Sequence, residues 1–158
     1  MLGLRKSPSD DGLSSSTLLN QGTFYAVFRR DLLQAQHEVI IESPFISSKR
    51  LNYLLPTLRT LLRHQVRIVI NTKHPEEQEA SYIGQAEDCI AILQKLGIQV
   101  LYTGGHHRKL AIIDREVLYE GSLNILSQND SCEIMRRICS EKIADQMIEF
   151  IGIDKFIS

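Results

Sequence analysis

Tryptophan is absent from this 158-residue chain, aromatic residues make up 6% of it, and it has only four prolines and three cysteines. Few prolines, with an ordinary 43% hydrophobic and 23% charged content, exclude a low-complexity or extended scaffold and point to a globular domain. Cys89, Cys132 and Cys139 have neither the even count nor the spacing of a disulfide framework or a zinc site. They are expected to be buried apolar residues in a reducing compartment. No apolar run approaches the roughly twenty residues needed to cross a bilayer. The start, Met1 to Ser16, is rich in serine and aspartate and lacks the apolar stretch of a secretory signal. A cytoplasmic location without a membrane anchor is the expectation.

Excess charge is also missing. A net charge of −1 does not mark a nucleic-acid binder, because non-specific affinity for nucleic acid comes from neutralising phosphates. Local pairs at Arg29-Arg30, Lys49-Arg50 and Arg136-Arg137 could still contribute, although such pairs are more often solvated faces. The acids Glu76, Glu77 and Glu79 sit in a proline-containing loop and suggest no metal site, so no cofactor is expected.

What the chain does have is one dense constellation. His107 is followed by Lys109, then by Asp114, Gly121, Ser122 and Asn124, with Glu133 trailing. Histidine, lysine and asparagine supply a nucleophile, a fixed cation and a neutral donor, the set an oxyanion such as phosphate requires while it is attacked. Such a set at fixed offsets arises by chance at about one start point in ten million or fewer. Because His107 and Lys109 differ by two, both should point to one face of a strand, with Arg108 on the other. Gly121 would let the backbone approach a bound phosphate. His106, on the opposite face from His107, is expected to be auxiliary.

Helical spacing from Thr23 through Ala35, an apolar run Val39–Ile41 ending at Glu42-Ser43-Pro44, and a leucine-rich helix from Ser47 or Ser48 to about His64 open the domain. Pro56 should kink or break that helix. A strand at 66–70, a helix at about 81–96 ended by Gly97, and a strand at 98–102 follow. A hairpin of 109–113 and 116–119 turning at Asp114-Arg115, a strand at 132–138 and a helix at 141–150 complete it. Strands alternating with helices and then a hairpin predict an α/β sandwich with a mixed β-sheet flanked by helices. Residues 1–20 are expected to be a flexible tail and 21–158 the functional domain.

The motif from His107 to Glu133 resembles the signature of the phospholipase D superfamily, the HKD motif. The resemblance implies a metal-independent phosphodiesterase that passes through a phosphohistidine. It implies His107 as nucleophile, Lys109, Ser122, Asn124 and the Gly121 backbone around the phosphate, and Glu133 orienting the histidine. Asp114, at the turn, is carried with the catalytic set, in a scaffolding role or acting through Lys109. Relatives with two motif copies build one site from both. This chain has one copy, so a homodimer is implied, with its interface around residues 122–129. The short single-motif form and Glu42-Ser43-Pro44-Phe45-Ile46 are similar to nuclease members, including those attached to helicases or restriction systems. The expected substrate is therefore nucleic acid, DNA ahead of RNA, with a larger assembly of that kind as a candidate partner. A cardiolipin-type phospholipid phosphodiesterase and a non-catalytic nucleic-acid-binding module of the same fold remain the alternatives.

Overall fold

A computed structural model describes residues 15–127 and 130–157. Along the chain run β1 (Ser16–Asn20), α1 (Phe24–Leu33), β2 (Glu38–Glu42), α2 (Ser48–Arg63), β3 (Arg67–Thr72), α3 (Ala80–Lys95), β4 (Gln99–Tyr102), β5 (Leu110–Ile113), β6 (Val117–Gly121), β7 (Ile134–Cys139) and α4 (Glu141–Ile151). The strands form a single sheet in the order β1-β7-β6-β5-β2-β3-β4. β2, β3 and β4 are parallel, the arrangement that helical crossovers impose, and from β5 outward the pairing is antiparallel. The expected mixed sheet with flanking helices is what the chain forms.

Strand alternation divides the core in two. Val39, Ile41, Ile68, Ile70, Ala111 and Ile113 face one side, where they pack with the apolar stripes of α1, α2 and α3. Ile40, Val69, Leu110, Ile112, Leu118 and Ile138 face the other and are covered by Ala144 and Ile148 of α4. On the first face Phe24, Phe28 and Tyr119 form an aromatic cluster, with Tyr119 edge-on to both phenylalanines. The Tyr119 hydroxyl donates to Asp31, which also takes Arg137 Nε at 2.6 Å. Arg137 is thus a structural partner of a buried carboxylate. Its neighbours in the basic pairs are also engaged: Arg136 with Ser16, Arg29 with Thr57, and Arg50 stacked 3.6 Å from the centre of the Tyr25 ring.

Several expectations change. Ser16–Asn20, placed in the tail, forms an edge strand paired with β7, and residues 1–14 lie outside the described residues. Here the ladder to β7 outweighs the polar composition that suggested a tail. α2 runs through Pro56 unbroken, because Pro56 and Asn52, one turn before it, lie on the exposed side, where water can take the freed carbonyl. Ser47 caps that helix by accepting from Arg50 N. Of the cysteines only Cys89 is buried, and Cys132 and Cys139 are exposed.

Asp114 has the clearest local purpose. It and Arg115 have φ of 52° and 55°, the left-handed pair that a two-residue hairpin turn requires. The Asp114 carboxylate accepts from the backbone N–H groups of Gln36, His37 and Glu38 at 2.8–2.9 Å, tying the hairpin to the start of β2. This end of β5 lies about 16 Å along the chain from Lys109, so Asp114 belongs to the scaffold and does not act through that lysine. Asp114→Ala should lower stability by about 2–3 kcal/mol, as expected for lost bonds to a charged acceptor, and leave the specific activity of the folded protein unchanged. Urea unfolding alongside an activity assay checks both halves.

Candidate active site

The segment that enters β5, residues 106–109, continues the strand's alternation and sorts its side chains onto opposite faces. His107 and Lys109 project to the side of α1–α3, in register with Ala111 and Ile113, while His106 and Arg108 project to the α4 side with Leu110 and Ile112. His107 is exposed. Lys109 Nζ lies 3.2 Å from His107 Nδ1 and donates to the His107 carbonyl at 2.8 Å. Burial lowers the pKa of the Lys109 ammonium, and the negative charge of Glu133 draws it part of the way back.

Glu133 arrives through the β6–β7 ladder. Ser122 N donates to the Ile134 carbonyl at 2.8 Å, and Ile134 N donates back to Ser122 Oγ at 3.0 Å, so the residue before Ile134 emerges beside Ser122. The hydroxyls of Ser122 and Ser131 hold the Glu133 carboxyl below its ordinary range, with a smaller contribution from Lys109. Ser131 Oγ donates to Glu133 Oε1 at 2.6 Å. His107, Lys109, Ser122 and Glu133 therefore converge. The expected bond between Glu133 and His107 is not among the hydrogen bonds of the described residues: His107 Nδ1 faces Lys109 instead.

Gly121 has a packing role that the sequence did not show. It pairs with Met135, and a Cβ there would overlap the Ile134 carbonyl oxygen and lie 2.9 Å from Met135 Cα. Its missing side chain lets β7 come close; the phosphate is not needed to explain it. Asn124 sits further along the same loop, which is pinned by Tyr25 OH to the Ile125 carbonyl at 2.7 Å and by Ser47 N to the Leu126 carbonyl at 2.9 Å. Burial pushes the Tyr25 phenol up to about 12, with Arg50 opposing it. Asn124 Oδ1 is buried with no hydrogen-bond partner among the described residues. Asn124 also borders a cavity of about 710 Å³ whose walls include Phe45, Lys49, Lys73 and Tyr82. Of the interface stretch expected at 122–129, Gln128 and Asn129 lie outside the described residues.

The sequence reading missed Glu42. This residue is fully buried at the end of β2, on the α4 side. It accepts from Arg108 Nε and Nη2 at 2.7 and 3.0 Å, from His106 Nε2 at 3.2 Å, and from Asn71 Nδ2. An ionised carboxylate has no proton to give, so His106 Nε2 is the donor in that bond. His106 is therefore buried and structural. The sequence marked Glu42 as the end of an apolar run and the first residue of Glu42-Ser43-Pro44-Phe45-Ile46, but neither signal gave it a place in the site.

Residues 28–152 match a family model described as "Cardiolipin synthase, PLD-like domain". The chain belongs to the phospholipase D-like family. No curated protein matches the sequence. Among solved structures, Nuc from Salmonella typhimurium, described as a phospholipase D family member, superposes with a TM-score of 0.68 at 14% identity over 85% of this chain and 91% of that one. NucT from Helicobacter pylori gives 0.69 at 15% identity with the same coverage. Phosphatidylserine synthase from Haemophilus influenzae gives 0.63 at 16% identity, covering 87% of this chain and 38% of that one. At these identities the likeness is one of fold. Among the described residues no group of three or more His, Cys, Asp or Glu side chains is placed to hold a metal ion, and no helix is long and apolar enough to cross a membrane.

Burial raises the pKa of the Glu42 carboxyl, but the hydrogen bonds from His106 and Arg108 outweigh it and leave the group below the ordinary glutamate range. A folded-state pKa that is depressed contributes stability above the unfolded-state value and loses it as pH falls through the folded one. Wild type should therefore lose stability as pH drops below the ordinary glutamate range. Glu42→Gln should be less stable at neutral pH and should lack that acid-dependent loss. Urea unfolding of both proteins across this range measures it.

Proposed function

We propose that the protein is a phosphodiesterase acting on nucleic acid, DNA ahead of RNA, through a phosphohistidine on His107 in a homodimeric site. The observation that carries this reading is the convergence of His107, Lys109, Ser122 and Glu133 at the end of β5. Lys109 brings a positive charge to where a phosphate's non-bridging oxygens would gather negative charge. The Lys109 ammonium, 3.2 Å from His107 Nδ1, donates to that nitrogen, which puts the imidazole hydrogen on Nε2. A bound phosphate draws the ammonium away and the ring proton passes through water from Nε2 to Nδ1, where it bonds Glu133 and leaves the lone pair of Nε2 for attack.

Nε2 then forms a bond to phosphorus as the P–O bond to the leaving group breaks, and that oxygen takes a proton from the partner's His107. Water next attacks the phosphohistidine, giving its proton to the same histidine and releasing a phosphomonoester and free His107. Nucleophile and acid must lie on opposite faces of phosphorus. One chain supplies one motif, and a two-fold axis supplies the second from an identical surface. Asn124, further along the loop, would hold a non-bridging oxygen.

The cavity beside Asn124 favours nucleic acid. Its walls hold the acids Glu77 and Glu79 as well as Lys49 and Lys73, so the support comes from the placement of the two lysines, which suit a phosphate backbone, and from the half-exposed Tyr82 ring, which suits a stacked base. The family description and the likeness to a phosphatidylserine synthase favour a phospholipid as the second reading. Incubation with labelled single- and double-stranded DNA and RNA, and separately with cardiolipin vesicles, all in EDTA, distinguishes the two, and binding without cleavage would mark a non-catalytic module.

Three outcomes are expected. His107→Ala and Lys109→Ala should each reduce turnover by at least about 10³-fold while circular dichroism and melting temperature stay near wild type, since His107 is exposed and Lys109 half-buried, both before the first residue of β5. A chelator should change nothing, because Lys109 supplies the positive charge a Lewis acid would otherwise bring. In the third experiment, excess His107→Ala protomers are mixed into wild type under subunit exchange. Activity should fall more steeply than simple dilution, and a fully active monomer in sedimentation would contradict the shared site.

A further inference from the structure

The ladder between β2 and β5 stops at the pair Glu42–Leu110. Residues 106–109, which carry the motif's histidine and lysine, lie beyond it and have no strand partner on the β2 side. From the β6 side Gly121 N reaches the Lys109 carbonyl at 3.3 Å, and at the start of the segment His106 N reaches the Thr103 carbonyl at 3.2 Å. Backbone pairing alone therefore leaves the stretch around His107 loosely held. What reaches it is a side chain: the Glu42 carboxylate, at the last residue of β2.

That carboxylate bonds the residues on either side of His107. His106 Nε2 meets it at 3.2 Å, and Arg108 grips it in a fork at 2.7 and 3.0 Å. Asn71 of the adjacent β3 donates to Glu42 as well, and accepts from Thr103 Oγ1 at 3.0 Å, so the chain entering the segment is bound into the same network. Both Glu42 and His106 have fully buried side chains. An acid buried among hydrogen-bonded polar partners is a costly way to obtain stability, since an apolar set of equal volume often does as well. It is a directional way to fix a backbone, because fork and ring must both meet one carboxylate.

We propose that Glu42 is a positioning residue for the His107–Lys109 pair: from the α4 side of the sheet it clamps His106 and Arg108, and so sets the direction in which the alternate residues leave the opposite face. Glu42 lies on the face away from the phosphate and takes no part in bond making. The activity part of this inference rests on the phosphodiesterase reading, and the structural part does not.

Three variants test it. Glu42→Gln keeps the shape and removes the charge, Glu42→Asp keeps the charge on a shorter arm, and Arg108→Lys keeps the cation but loses the fork. Arg108 is partly exposed, so its variant carries the test if Glu42→Gln fails to fold. ¹⁵N relaxation of amides 106–109 and the imidazole spectrum of His107 are recorded with kcat and KM on the substrate that wild type cleaves. The expected result for Glu42→Gln and Arg108→Lys is new mobility confined to 106–109 and broadened His107 signals. With it, kcat should fall on the order of 100-fold at little-changed KM, the size expected when a reacting group is misplaced by about an ångström. Glu42→Asp should recover part of both. A folded Arg108→Lys or Glu42→Gln with an unchanged segment, or with a mobile segment and unchanged kcat, overturns the proposal. If wild type cleaves neither nucleic acid nor lipid, the activity reading fails while the relaxation data still decide whether the clamp exists.

Discussion

The alternation of side chains along residues 106–113 is the constraint around which the rest of the molecule is arranged. Through β5 it sends Ala111 and Ile113 into the core under α1–α3, and Leu110 and Ile112 into the core under α4. Continued past the end of the ladder, it sends His107 and Lys109 one way and His106 and Arg108 the other. A slip of one residue would exchange the faces. It would bury the lysine's neighbours in the wrong layer and strand Glu42 without its partners. The same register thus holds the core, the His107–Lys109 pair and the acid behind it.

Polar groups at the two ends of β5 do different work. At the far end, Asp114 accepts three backbone N–H groups and Arg115 bonds Glu38 and Asp154, so the hairpin turn is locked to the start of β2 and to the C-terminal segment. At the near end the backbone bonds thin out and the site opens. There the Glu42 carboxylate replaces the ladder, and β7 delivers Glu133 by bonding Ile134 to Ser122. Rigidity is supplied from the scaffold side, while His107 remains accessible.

The elements were largely legible because each has a local cause. The leucine stripe of α2 follows helical spacing, the apolar runs of β2 and β3 mark strands buried on both faces, and Asp114-Arg115 marks a tight turn. The edge strand β1 was not legible: Ser16–Asn20 has a weak pattern of its own and is a strand because β7 offers a ladder. The cysteines also depended on context, since nothing local distinguishes buried Cys89 from exposed Cys132 and Cys139.

For the site, the sequence by itself determined the chemical inventory and the pairing of His107 with Lys109, because a separation of two on extended chain fixes a shared face whatever surrounds it. Its motif from His107 to Glu133 also carried the resemblance to the phospholipase D superfamily. Only the tertiary structure decided what depends on residues distant along the chain. It assigned Asp114 to the scaffold, since its donors at residues 36–38 come from another strand. It gave Gly121 to the close approach of β7. It also turned Glu42 and His106 into a buried pair, since strand order is what brings residues 64 positions apart to 3.2 Å. Spacing reports what one segment can present, whereas contacts between segments exist only once the sheet has set its order.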